Sequence, residues 1–231
     1  AVIGAGVLLG VFCALLLWYM AFHPAPLVYT RSGATGSTTP AGTVVDAPRL
    51  HIIDRGKYYD AEAVYPSVTE LKEKVSVESD RKAVTLMKVF EQNTINGFKE
   101  NGNFDKLTPE DIKMQRLNER KYALSIDYQI YRGPRTVSYV YTIFQDTLGA
   151  HPNTYYRTFT FDTVTGEGLE LADLFMPTVS HLERMSAQTR KDLPKILARM
   201  AGGPADADFI KSGTLPEADS FQNFAIDENN L

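Results

Sequence analysis

The sequence predicts an α+β fold, an antiparallel meander sheet covered by helices and preceded by one N-terminal transmembrane helix. Three observations carry this expectation. Between Lys121 and Phe175 apolar and polar residues alternate with a period of two, broken by turn residues. Two stretches, one after Ser79 and one after Ser180, repeat their apolar residues at three- and four-residue spacings, the period of a one-sided helix. The run from Ala1 to Phe22 contains no charged residue, and about 20 apolar residues span a hydrocarbon core.

The composition sets outer bounds. A chain of 231 residues, 44% hydrophobic and 23% charged, buries a sizeable core in one or two domains. Its formal net charge of -4 argues against nucleic acid, because phosphate binding needs clustered Lys and Arg, and along the chain these interleave with Asp and Glu without forming a basic stripe. The only cysteine, Cys13, lies inside the N-terminal apolar run, so the rest of the chain has no disulfide framework, no cysteine zinc site and no thiol nucleophile.

Four segments follow in order. Residues 1–22 read as an uncleaved membrane anchor: the apolar run exceeds the roughly 7–15 residues of a signal-peptide core, no A-x-A site precedes His23, and Trp18 and Tyr19 suit the membrane interface. Residues 23–48, rich in Pro, Gly, Ser and Thr, read as a flexible linker. Residues 49–118 form an N-terminal α+β subdomain. In it Leu50 to Ile53, Lys57 to Tyr59 and Val75 to Val77 have strand character, and Ser79 or Asp80 caps a helix whose apolar side carries Val84, Met87, Val89, Phe90 and Ile95. Thr108-Pro109-Glu110-Asp111 starts a second, short helix. Asn101 to Asp105 mimics a calcium loop but puts Lys106 where glycine is needed and Ile112 where a bidentate Glu belongs, which excludes it.

Residues 119–231 form the sheet subdomain. Tyr122, Leu124, Ile126, Tyr128 and Ile130 send one row to the core; Gly133-Pro134 turns the chain, and Val137, Tyr139, Tyr141 and Ile143 return it. The connection Leu148 to Thr154 leads into Tyr155, Arg157, Phe159 and Phe161, and Thr165-Gly166 closes a second hairpin into Leu169 to Leu171. Ser180 and Glu183 begin a helix expected to cover the sheet, with Pro194 kinking or dividing it. A short helical piece is expected near Asp206 to Ser212 and strand character from Phe221 to Ile226, with further strands beyond Leu231.

This stretch resembles the RsiV-like domain found in lysozyme-sensing anti-sigma factors and in the N-terminal module of PdaC-type peptidoglycan deacetylases. The residues that carry the resemblance are Tyr65-Pro66, Lys121-Tyr122 with Leu124 and Tyr128, Ser138-Tyr139, Gly149-Ala150-His151-Pro152, Phe159 with Phe161-Asp162, Thr165-Gly166, and Leu171 with Asp173-Leu174-Phe175. The resemblance implies a non-catalytic binding or sensing module of the bacterial cell envelope, held at the cell membrane by a single pass with its soluble domain extracytoplasmic. The candidate partners it implies are a muramidase (lysozyme) or peptidoglycan. An accessory or catalytic part of a peptidoglycan deacetylase or hydrolase is the alternative.

The candidate ligand-binding residues are Gly149, Ala150, His151, Asn153, Tyr155 and Tyr156, where the signature turn meets a concentration of aromatic rings able to stack on sugar faces or anchor a protein. No catalytic residue is assigned: no G-x-S-x-G elbow surrounds Ser138 or Ser180. No metal ligand or cofactor is assigned either. Asp146, Asp162 and Asp173 are the carboxylates that could join His151 around an ion, but no H-E-x-x-H or related spacing supports them. Asp162 is better used in closing its own turn.

Overall fold

The computed structural model describes residues 49–201, 203–204 and 206–228. The expected anchor over 1–22 and the linker over 23–48 lie outside these residues. Among the described residues no helix is long and apolar enough to cross a membrane.

Six strands, β1 (Arg49–Arg55), β2 (Tyr59–Pro66), β3 (Tyr122–Arg132), β4 (Thr136–Asp146), β5 (Asn153–Asp162) and β6 (Gly168–Leu169), form one sheet in sequence order. The sheet crosses position 118 without interruption, because β2 pairs directly with β3. That pairing is parallel, whereas the other four are antiparallel. The expected antiparallel meander is therefore corrected to a mixed sheet. A parallel neighbour requires a long crossover, and the helix α1 (Val77–Gly102) and the short α2 (Pro109–Met114) supply it.

The N-terminus of α1 differs from expectation for a local reason. Ser76 holds an extended backbone and its side chain accepts from the Ser79 N–H, so the helix begins at Val77 and the expected short strand at Val75 to Val77 does not form. Asp80, expected as a cap, instead turns inward and accepts from the Thr69 N–H at 2.7 Å. The helix face that meets the sheet runs through Ala83, Met87, Ile95 and Phe98, with Asp80 and Glu91 on the same face. Val89, expected in the apolar row, is exposed.

Above that face lie Tyr59, Ala61 and Ala63 of β2, Leu124, Ile126 and Tyr128 of β3, Tyr139, Tyr141 and Ile143 of β4, and Phe159 and Phe161 of β5. Each strand contributes every second residue, as the pleat requires. Phe90 meets Tyr141 and Phe159 edge-on at ring separations of 5.6 and 5.5 Å. The Tyr139 hydroxyl accepts from the Glu70 N–H at 2.9 Å, giving a fully buried ring a partner for its polar end.

The turn after β5 follows the sequence closely. Asp162 accepts from the N–H groups of Val164 and Thr165 at 2.6 and 3.0 Å and from Arg135 Nε at 2.9 Å. Burial works against the charged carboxylate, but these donors outweigh it and hold its pKa below the usual range. Gly166 has φ +77°, and a Cβ there would lie 2.8 Å from Ser79 Cβ. Only glycine both adopts this conformation freely and lets the turn dock against the start of α1.

The C-terminal elements differ from expectation in how they meet the sheet. The helix α3 (His181–Ala201), which continues through Pro194, packs on α4 (Ala207–Gly213). Arg190 donates to the carbonyls of Lys211 and Thr214, satisfying the open end of α4. The main helical cover of the sheet is α1. Residues 222–227 form no strand; they cross the outer face and hydrogen-bond to its hydroxyls, with Ile226 N–H donating to Ser138 Oγ at 3.1 Å and Phe224 N–H to Thr158 Oγ1 at 3.0 Å. Hydroxyl acceptors on the sheet face thus replace a ladder, and Ser138 and Thr160 are buried beneath the tail.

Candidate functional site

The end of the sheet where β1 stops and β2, β3 and β5 start holds three connections. The β1–β2 turn occupies residues 56–58, the segment after α2 runs through 115–121, and the β4–β5 connection spans 147–152. Because Tyr59 pairs with Tyr122 and Ala123 with Asp146, all three lie along one rim. Neighbouring strands are about 4.8 Å apart, so the rim is short enough for one ligand to touch more than one connection.

The β4–β5 connection is built by its own side chains. Asp146 Oδ1 accepts from the Leu148 N–H at 2.8 Å, and Leu148 takes a left-handed backbone, φ +58°. Gly149 and Ala150 at the tip are exposed, His151 and Pro152 are half-buried, and Asn153 is exposed where β5 begins opposite Gln145. Among the described residues His151 makes no hydrogen bond or ion pair, so its imidazole is free to meet a ligand.

The two candidate tyrosines part at this point. Tyr155 pairs with Ile143 and lies on the α1 side, 38% exposed, where partial burial raises its phenol pKa. Tyr156 pairs with Thr142 and lies on the outer side, 56% exposed. A flat ligand on one face meets only one of them. Phe144, which sequence reasoning passed over, shares the outer face: it pairs with Thr154, the residue two before Tyr156. Such diagonal neighbours lie about 7–8 Å apart, and Phe144 is 37% exposed. The signal was available in the alternation of β4, where Phe144 falls in the row of Ser138, Val140 and Thr142 rather than with the core tyrosines. Tyr156 and Phe144 therefore share the outer face of the two strands that the turn joins.

The carboxylates considered beside His151 are committed elsewhere. Asp146 holds its own turn, Asp162 closes the next one, and Asp173 accepts from the Glu170 N–H at 2.8 Å. Among the described residues no three His, Cys, Asp or Glu side chains converge as a metal-binding group.

Cations also collect on this rim. Lys57 of the β1–β2 turn, Lys113 of α2, Arg116, and Arg120 with Lys121 line two adjoining cavities of about 420 and 550 Å³. Four of these cations fall within residues 113–121, where Glu119 interrupts them, and the parallel β2–β3 pairing brings the fifth, Lys57, from more than fifty positions away to their side.

This chain is similar to a peptidoglycan deacetylase. Over 132 residues, 57% of the chain, it is 30% identical to the peptidoglycan-N-acetylmuramic acid deacetylase PdaC of Bacillus subtilis (strain 168), a match that covers 27% of that protein. Over 96 residues, 42% of the chain, it is 33% identical to the esterase Rv3036c of Mycobacterium tuberculosis (strain ATCC 25618 / H37Rv), covering 39% of that protein. The chain thus spans well under half the length of these two curated relatives. No family profile matches it. Among solved structures, a DUF3298 family protein (PA4972) from Pseudomonas aeruginosa PAO1 superposes with a TM-score of 0.38 at 12% identity, over 72% of this chain and 73% of that one. A second DUF3298 member (BF2082), from Bacteroides fragilis NCTC 9343, gives 0.39 at 11% identity, over 72% of each chain. Superpositions this loose carry no residue correspondence.

Proposed function

We propose that this chain is a peptidoglycan-related binding module of the bacterial cell envelope, non-catalytic in itself. In this reading residues 1–22 anchor it in the membrane and residues 49–231 face the wall. The observation that carries the reading is the 132-residue likeness to a deacetylase of which the matched part is only 27%. The surface it would use is the rim of the β4–β5 connection, with His151 just after its tip and Tyr156 and Phe144 on the outer face of the strands it joins. An exposed aromatic pair on the strands flanking a turn with an unpartnered imidazole suits the apolar face and hydroxyl edge of an amino sugar.

The test is a titration of the full chain, in mild detergent, against soluble peptidoglycan fragments and separately against a muramidase. Saturable binding to fragments, weakened by His151→Ala and Tyr156→Ala, supports the wall-binding reading. Saturable binding to the muramidase alone would replace it with a sensing or inhibitory role, and binding to neither would refute both.

A second reading has its own support, since both curated relatives bear the names of hydrolases. In it the chain is an accessory or catalytic part of such an enzyme. Release of acetate from acetylated peptidoglycan by the purified chain decides for this second reading.

A further inference from the structure

We infer that the basic basin on the same rim is an anion subsite that takes the carboxylates of peptidoglycan stem peptides. The inference rests on the peptidoglycan reading above and adds to it a second point of attachment, distinct from the aromatic face.

The charge balance of the basin is unlike that of the chain. Its two cavities share Lys57, Tyr58, Asn118 and Glu119, and together are lined by five cations against the two carboxylates of Asp60 and Glu119, a local +3. The chain as a whole carries -4. Both carboxylates are already paired: Asp60 receives Lys121 Nζ at 3.1 Å, and Glu119 is engaged by Arg116. The remaining three cations, Lys57, Lys113 and Arg120, have no carboxylate partner among the described residues. Arg120 donates only its Nε, to the Gln115 carbonyl at 2.9 Å, which orients the guanidinium and leaves its two terminal nitrogens for a ligand. The Lys57 ammonium stands 4.8 Å from the centre of the Tyr58 ring. Lys113 has no partner among the described residues.

The scaffold is firm. Leu117 is buried beneath the segment, Arg116 takes a left-handed backbone at φ +57°, and its carbonyl accepts from the Glu119 and Arg120 N–H groups. Three cations without carboxylate partners around open cavities, one of them oriented by a backbone carbonyl, attract closely spaced anions and are screened by salt.

Two features make a stem peptide the fitting occupant. Peptidoglycan stem peptides carry side-chain and terminal carboxylates a few bonds from the glycan. The basin and the β4–β5 connection share a rim, with Ala123 at the basin paired to Asp146 at the connection, so a separation of about one to three strand spacings, roughly 5–15 Å, lies between them. One muropeptide reaches both, its sugar at the β4–β5 connection and its carboxylates in the basin.

The experiment uses the full chain and its Lys113→Glu/Arg120→Glu variant, with circular dichroism and thermal unfolding confirming that both fold alike. Each is titrated with a disaccharide-peptide bearing free carboxylates, with the same fragment amidated, and with inorganic polyphosphate. The expected result is a loss of about tenfold in affinity for the free-acid fragment in the variant, a comparable loss for the wild type on amidation, and no difference between the proteins for the amidated fragment. Raising salt from about 50 to about 500 mM should remove most of the difference. Free-acid binding that the variant leaves unchanged overturns the basin while the peptidoglycan reading stands. Binding of polyphosphate without the fragment reassigns the basin to another anion, and failure of every fragment to bind either protein overturns both.

Discussion

Glu91 offers the sharpest test of the packing. It sits on the buried face of α1, fully covered, with neither carboxyl oxygen in a formed hydrogen bond although the Tyr141 hydroxyl stands beside it. Burial pushes its pKa up from 4.5 to about 8, with the neighbouring phenol opposing only weakly. The native state therefore holds a proton that the unfolded chain releases. Below pH 4.5 both states are protonated and the ionisation of Glu91 contributes nothing to the stability difference. Between there and about pH 8 only the unfolded chain ionises, and native stability falls by up to about 1.4 kcal/mol per pH unit. The loss totals about 5 kcal/mol and levels off above the native pKa. Glu91→Gln keeps the shape and removes the titration. Guanidinium unfolding in half-unit steps from about pH 5 to pH 9 should find the two proteins within about 1 kcal/mol at the acid end and the variant more stable by about 3–5 kcal/mol at the alkaline end. All other titrating groups are common to both and cancel in the difference. Parallel stability profiles would show that Glu91 is ionised in the native state and refute its placement in a dry core.

Other perturbations probe separate contacts. Gly166→Ala should lose about 2–4 kcal/mol, from a left-handed backbone together with the contact against Ser79, read by chemical denaturation. Tyr139→Phe strands the Glu70 N–H and should cost about 1–2 kcal/mol with no change in the far-ultraviolet spectrum. Thr108→Ala removes the capping box at α2 and should cost about 1 kcal/mol; amide exchange should quicken in residues 109–114 first. For binding, Phe144→Ala and Tyr156→Ala should each weaken fragment affinity by about 1 kcal/mol or more in a calorimetric titration, whereas Tyr155→Ala, on the other face, should leave it unchanged. Equal losses at Tyr155 and Tyr156 would place the ligand around the strand edge instead of on the outer face.

The sequence by itself determined the local structure. Period-two alternation placed β3, β4 and β5, because a strand exposes or buries every second residue whatever it pairs with. Thr108-Pro109 and Asp162 through Gly166 placed a helix start and a turn, because their hydrogen bonds close within a few residues. The turn carrying His151 was legible for the same reason. Only the tertiary structure decided which elements become neighbours. The parallel β2–β3 pairing, which turns a meander into a mixed sheet, depends on α1 lying across the face, and nothing local encodes that crossover. Glu91 reads as one more polar residue on an amphipathic helix until the helix is rotated against Tyr141. The separation of Tyr155 from Tyr156 needs the register to Ile143 and Thr142, and the basin needs Lys57 brought beside residues 113–121. Each of these facts is a distance between residues far apart in the chain, set by how whole faces pack, and packing is decided by the sum of many side chains rather than by any spacing along the sequence.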